Sequence, residues 1–136
     1  MKAPPEAPPP LPAALAALTG QGVAAIDTPA AVIDLDAMER NLARMAAFAR
    51  THGVRLRPHA KMHKSAFLAR LQMQAGAVGV CVQKTSEAEA LAATGVTDIY
   101  ISNLVIDASK LQRVAALAQR LQAAGGRLAI AVDSLE

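Results

Sequence analysis

The sequence predicts an α/β fold, namely the first part of a (β/α)8 barrel that is incomplete in this chain. Short β-rich runs alternate with helical stretches, and from Val54 onward a new strand begins roughly every 20 to 30 residues, as in βαβ units with a parallel sheet. A doubly wound sheet would carry a glycine-rich turn after its first strand, whereas Pro58 is followed by His-Ala-Lys. Polar side chains follow the predicted strands, where barrel enzymes place catalytic groups.

Length and composition limit what the chain can be. Its 136 residues, 53% of them hydrophobic, suffice for one small domain with a core, but a complete barrel takes about 250 residues. Aromatic residues make up 2%, which disfavours the stacking surfaces of single-strand nucleic-acid binders. The net charge of +3 comes from scattered Arg and Lys without a long run of like charges. A small anionic ligand is therefore favoured, and no nucleic-acid partner is expected.

The N-terminal segment differs from the rest. Residues 1–26 form a predicted Pro/Ala-rich arm. Its first twelve residues, MKAPPEAPPPLP, hold six of the eight prolines, which predicts an extended, solvated conformation for that stretch. Residues 27–136 form the predicted barrel portion. The single cysteine cannot form an internal disulfide, and no apolar run approaches the about 20 residues that span a bilayer. We expect a cytoplasmic protein without membrane contact.

The first predicted elements follow the arm. Ala31–Leu35 reads as a strand, and Asp36 with Glu39 three residues later predicts the cap of a helix. Gly53 lies where that helix would end. Val54–Pro58 is the next predicted strand.

Further βα units are predicted from residue 65 onward. Ser86 would open a helix with Glu89 at the capping-box position, and Gly95 would end it. The other predicted elements are a helix over Ser65–Gln74, strands over Val78–Val82 and Asp98–Ser102, a helix over Asp107–Ala124 and a strand over Arg127–Val132.

The string RPHAKMHK carries the strongest chemical signal. Arg57, His59, Lys61 and His63 would project to one side if the strand stays regular that far. A lysine amine attacks a carbonyl only when unprotonated, and its reference pKa of about 10.4 leaves fewer than roughly one in a thousand neutral near pH 7. Neighbouring cations and burial lower such a pKa. Lys61, with Arg57 and Lys64 nearby, is therefore the candidate nucleophile.

Two other interpretations of this string remain open. It can be a basic, solvated strand end with two ordinary histidines. Alternatively, His59 and His63 can be metal ligands, but a structural zinc site takes four ligands and a catalytic one three. The other His and Cys side chains are His52 and Cys81, and Cys81 reads as a small buried hydrophobe. The residues alone thus predict no metal site.

Three strings in order carry a family resemblance: RPHAKMHK, VQKTSEAEAL and DIYISN. Together they resemble the D-threonine aldolase and D-serine dehydratase group of alanine-racemase-like, fold-type III pyridoxal phosphate (PLP) enzymes. The resemblance covers roughly residues 27–132, since the earlier string DTPAAVIDLDAMERNL is similar to the family's lead-in before the barrel. It implies the N-terminal part of a PLP-binding, alanine racemase N-terminal-like barrel.

The resemblance also implies roles for individual residues. Lys61 would hold the cofactor covalently, with Lys64 as the competing candidate, and His59 would pack against or hydrogen-bond the cofactor. Lys61 is in phase with His59 on the predicted strand and Lys64 is not, which favours Lys61. The other cofactor-binding candidates are polar or charged residues near strand ends: Arg57, Gln83, Ser102 and Asn103. The plain alternatives are an ordinary strand-end histidine for His59 and loop or N-cap contacts for Gln83, Ser102 and Asn103. For Lys84 and Glu87 we expect solvated or helix-terminal contacts.

The implied activity is that of a PLP-dependent lyase acting on D-β-hydroxy amino acids. A D-threonine aldolase-like reaction would give glycine and an aldehyde. The alternatives are a D-serine dehydratase-like ammonia-lyase and a non-catalytic truncated remnant or PLP-binding protein. The family also implies a divalent metal, Mn or Mg, whose ligands are absent from this chain, and a homodimeric parent protein. We expect residues 1–136 alone to be inactive.

Overall fold

A computed structural model of the chain describes residues 12–134, which divide into two compact units, residues 12–34 and 35–134. The first unit contains helix α1 (Ala13–Ala16) and a 3-10 turn (Val23–Ala25). The first part of the predicted arm, residues 1–11, lies outside the described residues.

The predicted strand at Ala31–Leu35 is wrong. Residues 31–34 have irregular backbone, and helix α2 (Leu35–Thr51) begins at the last residue of the predicted strand. An apolar run becomes a strand only where a neighbour takes its backbone hydrogen bonds, and the sheet found within residues 12–134 does not include this segment. Asp36 consequently lies in the first turn of α2 rather than before it.

The second unit continues as alternating helices and strands. No helix within residues 12–134 is long and apolar enough to cross a membrane. The elements after α2 are α3 (Ala66–Gln74), β1 (Val80–Val82), α4 (Thr85–Ala93), β2 (Asp98–Ile101), α5 (Ala108–Ala123) and β3 (Arg127–Ile130).

The three strands form one parallel sheet in the order β1-β2-β3. Val80 lies opposite Ile99, and Ile99 lies opposite Leu128. Successive strands are therefore neighbours joined by helices, which confirms the predicted parallel βα units.

Residues 54–59, the extended segment, lie along the other edge of β1, but the strand predicted at Val54–Pro58 does not form. The amide of Cys81 donates to the carbonyl of Pro58 at 2.8 Å, and Ala60 donates to Cys81 at 2.7 Å. In a regular parallel ladder, the hydrogen bond just before these two would be donated by the backbone N–H of residue 58, and proline has no N–H. Pairing is therefore reduced to a single bridge between His59 and Cys81.

The core lies between one face of the sheet and the helices. Strand side chains alternate between faces, so Val80, Val82, Ile99 and Ile101 all point to this side and are fully buried. The facing helix α5 contributes three buried residues: Val114, Leu117 and Leu121. Leu111, in the first turn of α5, is 41% exposed. The opposite face carries Cys81, Asp98, Tyr100 and Ala129.

Of the three helices after α2, two begin as the sequence predicts and one does not. Ser65 caps α3 by accepting from Leu68 N at 3.3 Å, and Asp107 caps α5 by accepting from Lys110 N at 3.0 Å. The Ser86–Glu89 capping box is wrong, because α4 already begins at Thr85, which is buried. The start of α4 is instead bound by Glu87.

Candidate functional site

Lys61 lies in a tight turn at the end of the extended segment. Sheet pairing stops at His59, and Ala60–His63 forms the turn, closed by a hydrogen bond from Lys64 N to Ala60 O at 2.8 Å. Lys64 has a φ of 50°, a left-handed conformation that few non-glycine residues adopt. The predicted alternation of side chains along one strand face therefore does not extend past His59.

The amine of Lys61 meets the residue that follows β1. Lys61 Nζ donates to Gln83 Oε1 at 2.6 Å, and both side chains are partly buried. The acceptor is a neutral amide, so this contact orients the amine without pairing it with a carboxylate. Gln83 therefore lies next to the candidate nucleophile, and its cofactor-binding role stays a prediction.

His59 lies between Lys61 and the end of β2. Its Nδ1 accepts from the backbone amide of Lys61 at 3.4 Å, and its Nε2 is 3.3 Å from Ser102 Oγ. Ser102 Oγ also donates to Val82 O at 3.2 Å. With its proton directed to Val82 O, the Ser102 hydroxyl is able to accept a hydrogen bond from Nε2 of His59.

These contacts place four predicted residues at the carboxyl ends of three neighbouring segments. Lys61 and His59 come from the extended segment, Gln83 follows β1, and Ser102 follows β2. The carboxyl ends of parallel strands share one edge of the sheet, which is the usual location of ligand sites in βα folds.

Two other predicted residues lie elsewhere. The guanidinium of Arg57 binds Asp98, with Nη1 2.7 Å from Oδ1 at the start of β2. Asn103 is exposed and lines a cavity of about 400 Å³ with Gln83 and Thr85, beside the start of α4. Their cofactor-binding roles stay predictions.

The histidines His59 and His63 have separate partners. His63 Nδ1 accepts from Ser65 N at 3.0 Å, and its Nε2 is 3.4 Å from Gln72 Oε1 in α3. Within residues 12–134, no three His, Cys, Asp or Glu side chains form a group that could hold a metal ion. Cys81 is buried, as predicted.

The partners of two carboxylates are not evident from the sequence, although a helix-terminal contact is expected for Glu87. Glu87 accepts from Gln83 N at 3.0 Å and Lys84 N at 3.2 Å. Burial raises its pKa, but these two backbone hydrogen bonds and the charges of Lys64 and Lys84 outweigh burial, so the pKa lies below its usual range. The spacing Lys84-x-x-Glu87 is that of a capping box, but lysine in place of Ser or Thr obscures the signal.

Asp98 is the second carboxylate whose partners are not evident from the sequence. Burial raises its pKa, and hydrogen bonds from Arg57 and Arg127 outweigh that effect, so its pKa is also lowered. No local pattern links Arg57 to a residue 41 positions away.

Fold and site together define a class of protein: a parallel βα domain that presents a lysine amine at the carboxyl end of its strands. Within that class, the chain belongs to the family described as alanine racemase, N-terminal domain, whose profile matches residues 33–135. This match confirms the predicted family and fold class.

The relatives are named for reactions of hydroxy amino acids. The chain is 43% identical over 121 residues to a 3-hydroxy-D-aspartate aldolase of Paracoccus denitrificans, covering 88% of this chain and 30% of the relative. It is 55% identical over 74 residues to a D-threo-3-hydroxyaspartate dehydratase of Delftia sp. strain HT23, covering 54% of this chain and 20% of the relative.

Solved structures agree with this assignment. The crystal structure of D-threonine aldolase from Filomicrobium marinum superimposes with a TM-score of 0.76 at 50% sequence identity, covering 82% of this chain and 29% of that one. The chain therefore spans less than a third of the length of the relatives it matches.

Proposed function

We propose that the protein containing these residues is a PLP-dependent lyase acting on D-β-hydroxy amino acids, with D-threonine aldolase-like cleavage to glycine and an aldehyde. The observation that carries the proposal is the Lys61 amine, held 2.6 Å from a neutral Gln83 oxygen at the carboxyl end of the strands. The aldolase relative from Paracoccus denitrificans, which covers 88% of this chain, supports the substrate class.

The donor set around Lys61 fits an aldehyde cofactor such as PLP. A covalent bond to the cofactor needs a primary amine, and Lys61 supplies one that is partly buried and oriented. When bound, PLP withdraws electrons from the bonds around Cα of an amino acid. His59, which contacts Ser102 and the backbone amide of Lys61, offers a flat imidazole next to the turn that carries Lys61.

Lys61 is favoured over Lys64 as the attachment point. The Lys64 side chain is 66% exposed, and its amine is 3.8 Å from Glu87. The Lys64 amine is thus paired with a carboxylate at the surface, whereas the partly buried Lys61 amine contacts a neutral amide.

Covalent trapping tests the attachment point. The full-length protein is incubated with PLP, reduced with borohydride and mapped by peptide mass spectrometry. A label on Lys61, lost in Lys61→Ala and kept in Lys64→Ala, supports the proposal. A label on Lys64, or on no lysine, would overturn it.

Product analysis tests the reaction. The full-length protein, given PLP and Mn²⁺, is expected to form glycine from D-threonine and none from L-threonine. A dehydratase is the second candidate, since the Delftia relative is 55% identical in the aligned region; it would give a 2-oxo acid and ammonia instead. Label on Lys61 without either product would indicate a non-catalytic PLP-binding protein.

The metal that the resemblance implies does not fit residues 12–134, where no suitable cluster of ligands is found. No role is therefore given to a metal in the contacts described above. Loss of activity on treatment with EDTA and its return with Mn²⁺ or Mg²⁺ would test metal dependence. The homodimeric state and cytoplasmic location stay predictions.

A further inference from the structure

Glu87 contacts both parts of the chain that form the Lys61 site. Its Oε2 accepts from the backbone amide of Gln83 at 3.0 Å, and Gln83 is the residue whose side chain binds the Lys61 amine at 2.6 Å. Its Oε1 is 3.8 Å from the amine of Lys64, in the turn that carries Lys61.

The two contacts differ in strength. Glu87 is 14% exposed, and a carboxylate that accepts from two backbone amides makes charge-assisted hydrogen bonds, which are the stronger kind. Lys64 is 66% exposed, and ion pairs at the surface contribute little. The backbone of Gln83 is therefore the main point at which Glu87 acts.

We propose that Glu87 is a positioning residue for Lys61, because it holds the end of β1 where the Gln83 amide oxygen can accept from the lysine amine. Glu87 itself does not contact Lys61; it acts through Gln83. The role of Lys61 as the cofactor lysine rests on the proposed function. The contacts of Glu87 with Gln83 and Lys64 are independent of it.

The rival explanation is that Glu87 only stabilises the start of α4. A carboxylate in the first turn does this in many helices, since it binds amides that lack partners within the helix. The two explanations differ in one respect: a positioning role requires Gln83, and a purely stabilising role does not.

A double-mutant cycle separates the two explanations. In the full-length protein with PLP, Glu87→Gln, Gln83→Ala and the double variant are compared for the rate at which PLP becomes trapped on Lys61. Glu87→Gln is expected to slow trapping about tenfold or more, as small misplacements of reacting groups do. In the Gln83→Ala background, Glu87→Gln should change the trapping rate by less than about twofold, because the side-chain contact between Gln83 and Lys61 is already absent.

Glu89→Gln is the matched control. Glu89 lies two residues further along α4, carries the same charge and pairs with Arg113 on the exposed side. Its substitution should leave the trapping rate within about twofold of wild type, as for surface changes away from a site. Two results would overturn the proposal. One is equal slowing of trapping by Glu87→Gln and Glu89→Gln, and the other is a double variant whose loss in trapping rate is the product of the losses of Glu87→Gln and Gln83→Ala.

A measurement without cofactor keeps this inference separate from the proposed function. Hydrogen exchange at the amides of Gln83 and Lys84 should accelerate in Glu87→Gln and not in Glu89→Gln. Unchanged exchange would refute the role of Glu87. Accelerated exchange in a protein that traps no PLP would support the contact and refute the proposed function. If Glu87→Gln does not fold, Glu87→Asp replaces it in the same cycle with the same criteria.

Discussion

Arg57 and Asp98 are joined by an ion pair across β1, with Arg57 Nη1 2.7 Å from Asp98 Oδ1. The other oxygen of Asp98 is 2.7 Å from Nη2 of Arg127. One carboxylate therefore connects the extended segment, β2 and β3. Because Pro58 interrupts the backbone ladder of the extended segment, this ion pair adds a side-chain contact that holds the segment to β2.

Gly79 leaves the space through which Arg57 reaches Asp98. A Cβ at Gly79 would lie 2.5 Å from Asp98 O and 2.8 Å from Asp98 Oδ1, and would also overlap Arg57 Nη1. We expect Gly79→Ala to lower the free energy of unfolding by about 1–3 kcal/mol, as overpacking does. Gly22→Ala, where nothing lies within 4 Å, should change it by less than about 0.5 kcal/mol. Urea unfolding of both variants measures the difference, and equal stability would contradict this account.

Asp98→Asn should destabilise the protein in a pH-dependent way. The pKa of Asp98 is lowered from an ordinary value of 3.8, so its ionised form stabilises the fold above that value, and the contribution is lost as the pH falls through the lowered pKa. We expect a loss of about 1–3 kcal/mol near neutral pH.

The difference between wild type and Asp98→Asn should shrink as the pH drops below about 4. Denaturant unfolding across pH measures it. Glu89→Gln, which removes a more exposed pair with Arg113, should cost no more than about 1 kcal/mol. A loss for Asp98→Asn that does not change with pH would count against the ion pair as its cause.

His59 and His63 should respond differently to replacement by alanine. His59 contacts Ser102 and the backbone amide of Lys61, whereas His63 contacts Ser65, which caps α3, and Gln72 within α3. We expect His59→Ala to weaken PLP retention or slow turnover, and His63→Ala mainly to lower stability by about 1 kcal/mol. Absorbance of bound PLP, kcat and thermal unfolding are compared. Near-wild-type kinetics for both variants would disprove a special role for His59.

Ser102→Ala should reproduce part of the His59→Ala defect. Ser102 Oγ is the group that holds the Nε2 side of His59, so its removal frees the ring to rotate. The expected loss in kcat/KM is about two- to tenfold, corresponding to one neutral hydrogen bond. Ser102→Thr keeps the hydroxyl and should recover most of the activity, and failure of Thr to recover more than Ala would indicate that the hydroxyl is not the relevant group.

Local signals predicted most of the elements in the second unit. Helix α5 was expected over Asp107–Ala124 and lies at Ala108–Ala123 with Asp107 as its cap, since a cap residue and a helical repeat act within a few turns. Two of the errors, at the starts of α2 and α4, occurred where two signals overlapped. Leu35 could end a strand or begin a helix, and both Ser86 and Lys84 have a glutamate three residues later.

Short-range patterns and one distinctive string are enough to predict the parallel βα architecture, the family and Lys61 as the candidate nucleophile. The partners of the site residues depend on the folded chain. Gln83 contacts Lys61, Ser102 contacts His59 and Asp98 contacts Arg57, at separations of 22, 43 and 41 residues. The register of neighbouring strands sets which side chains meet. That register comes from the packing of Val80, Ile99 and their neighbours against the helices. Because many buried side chains contribute together, no single position of the sequence predicts the register.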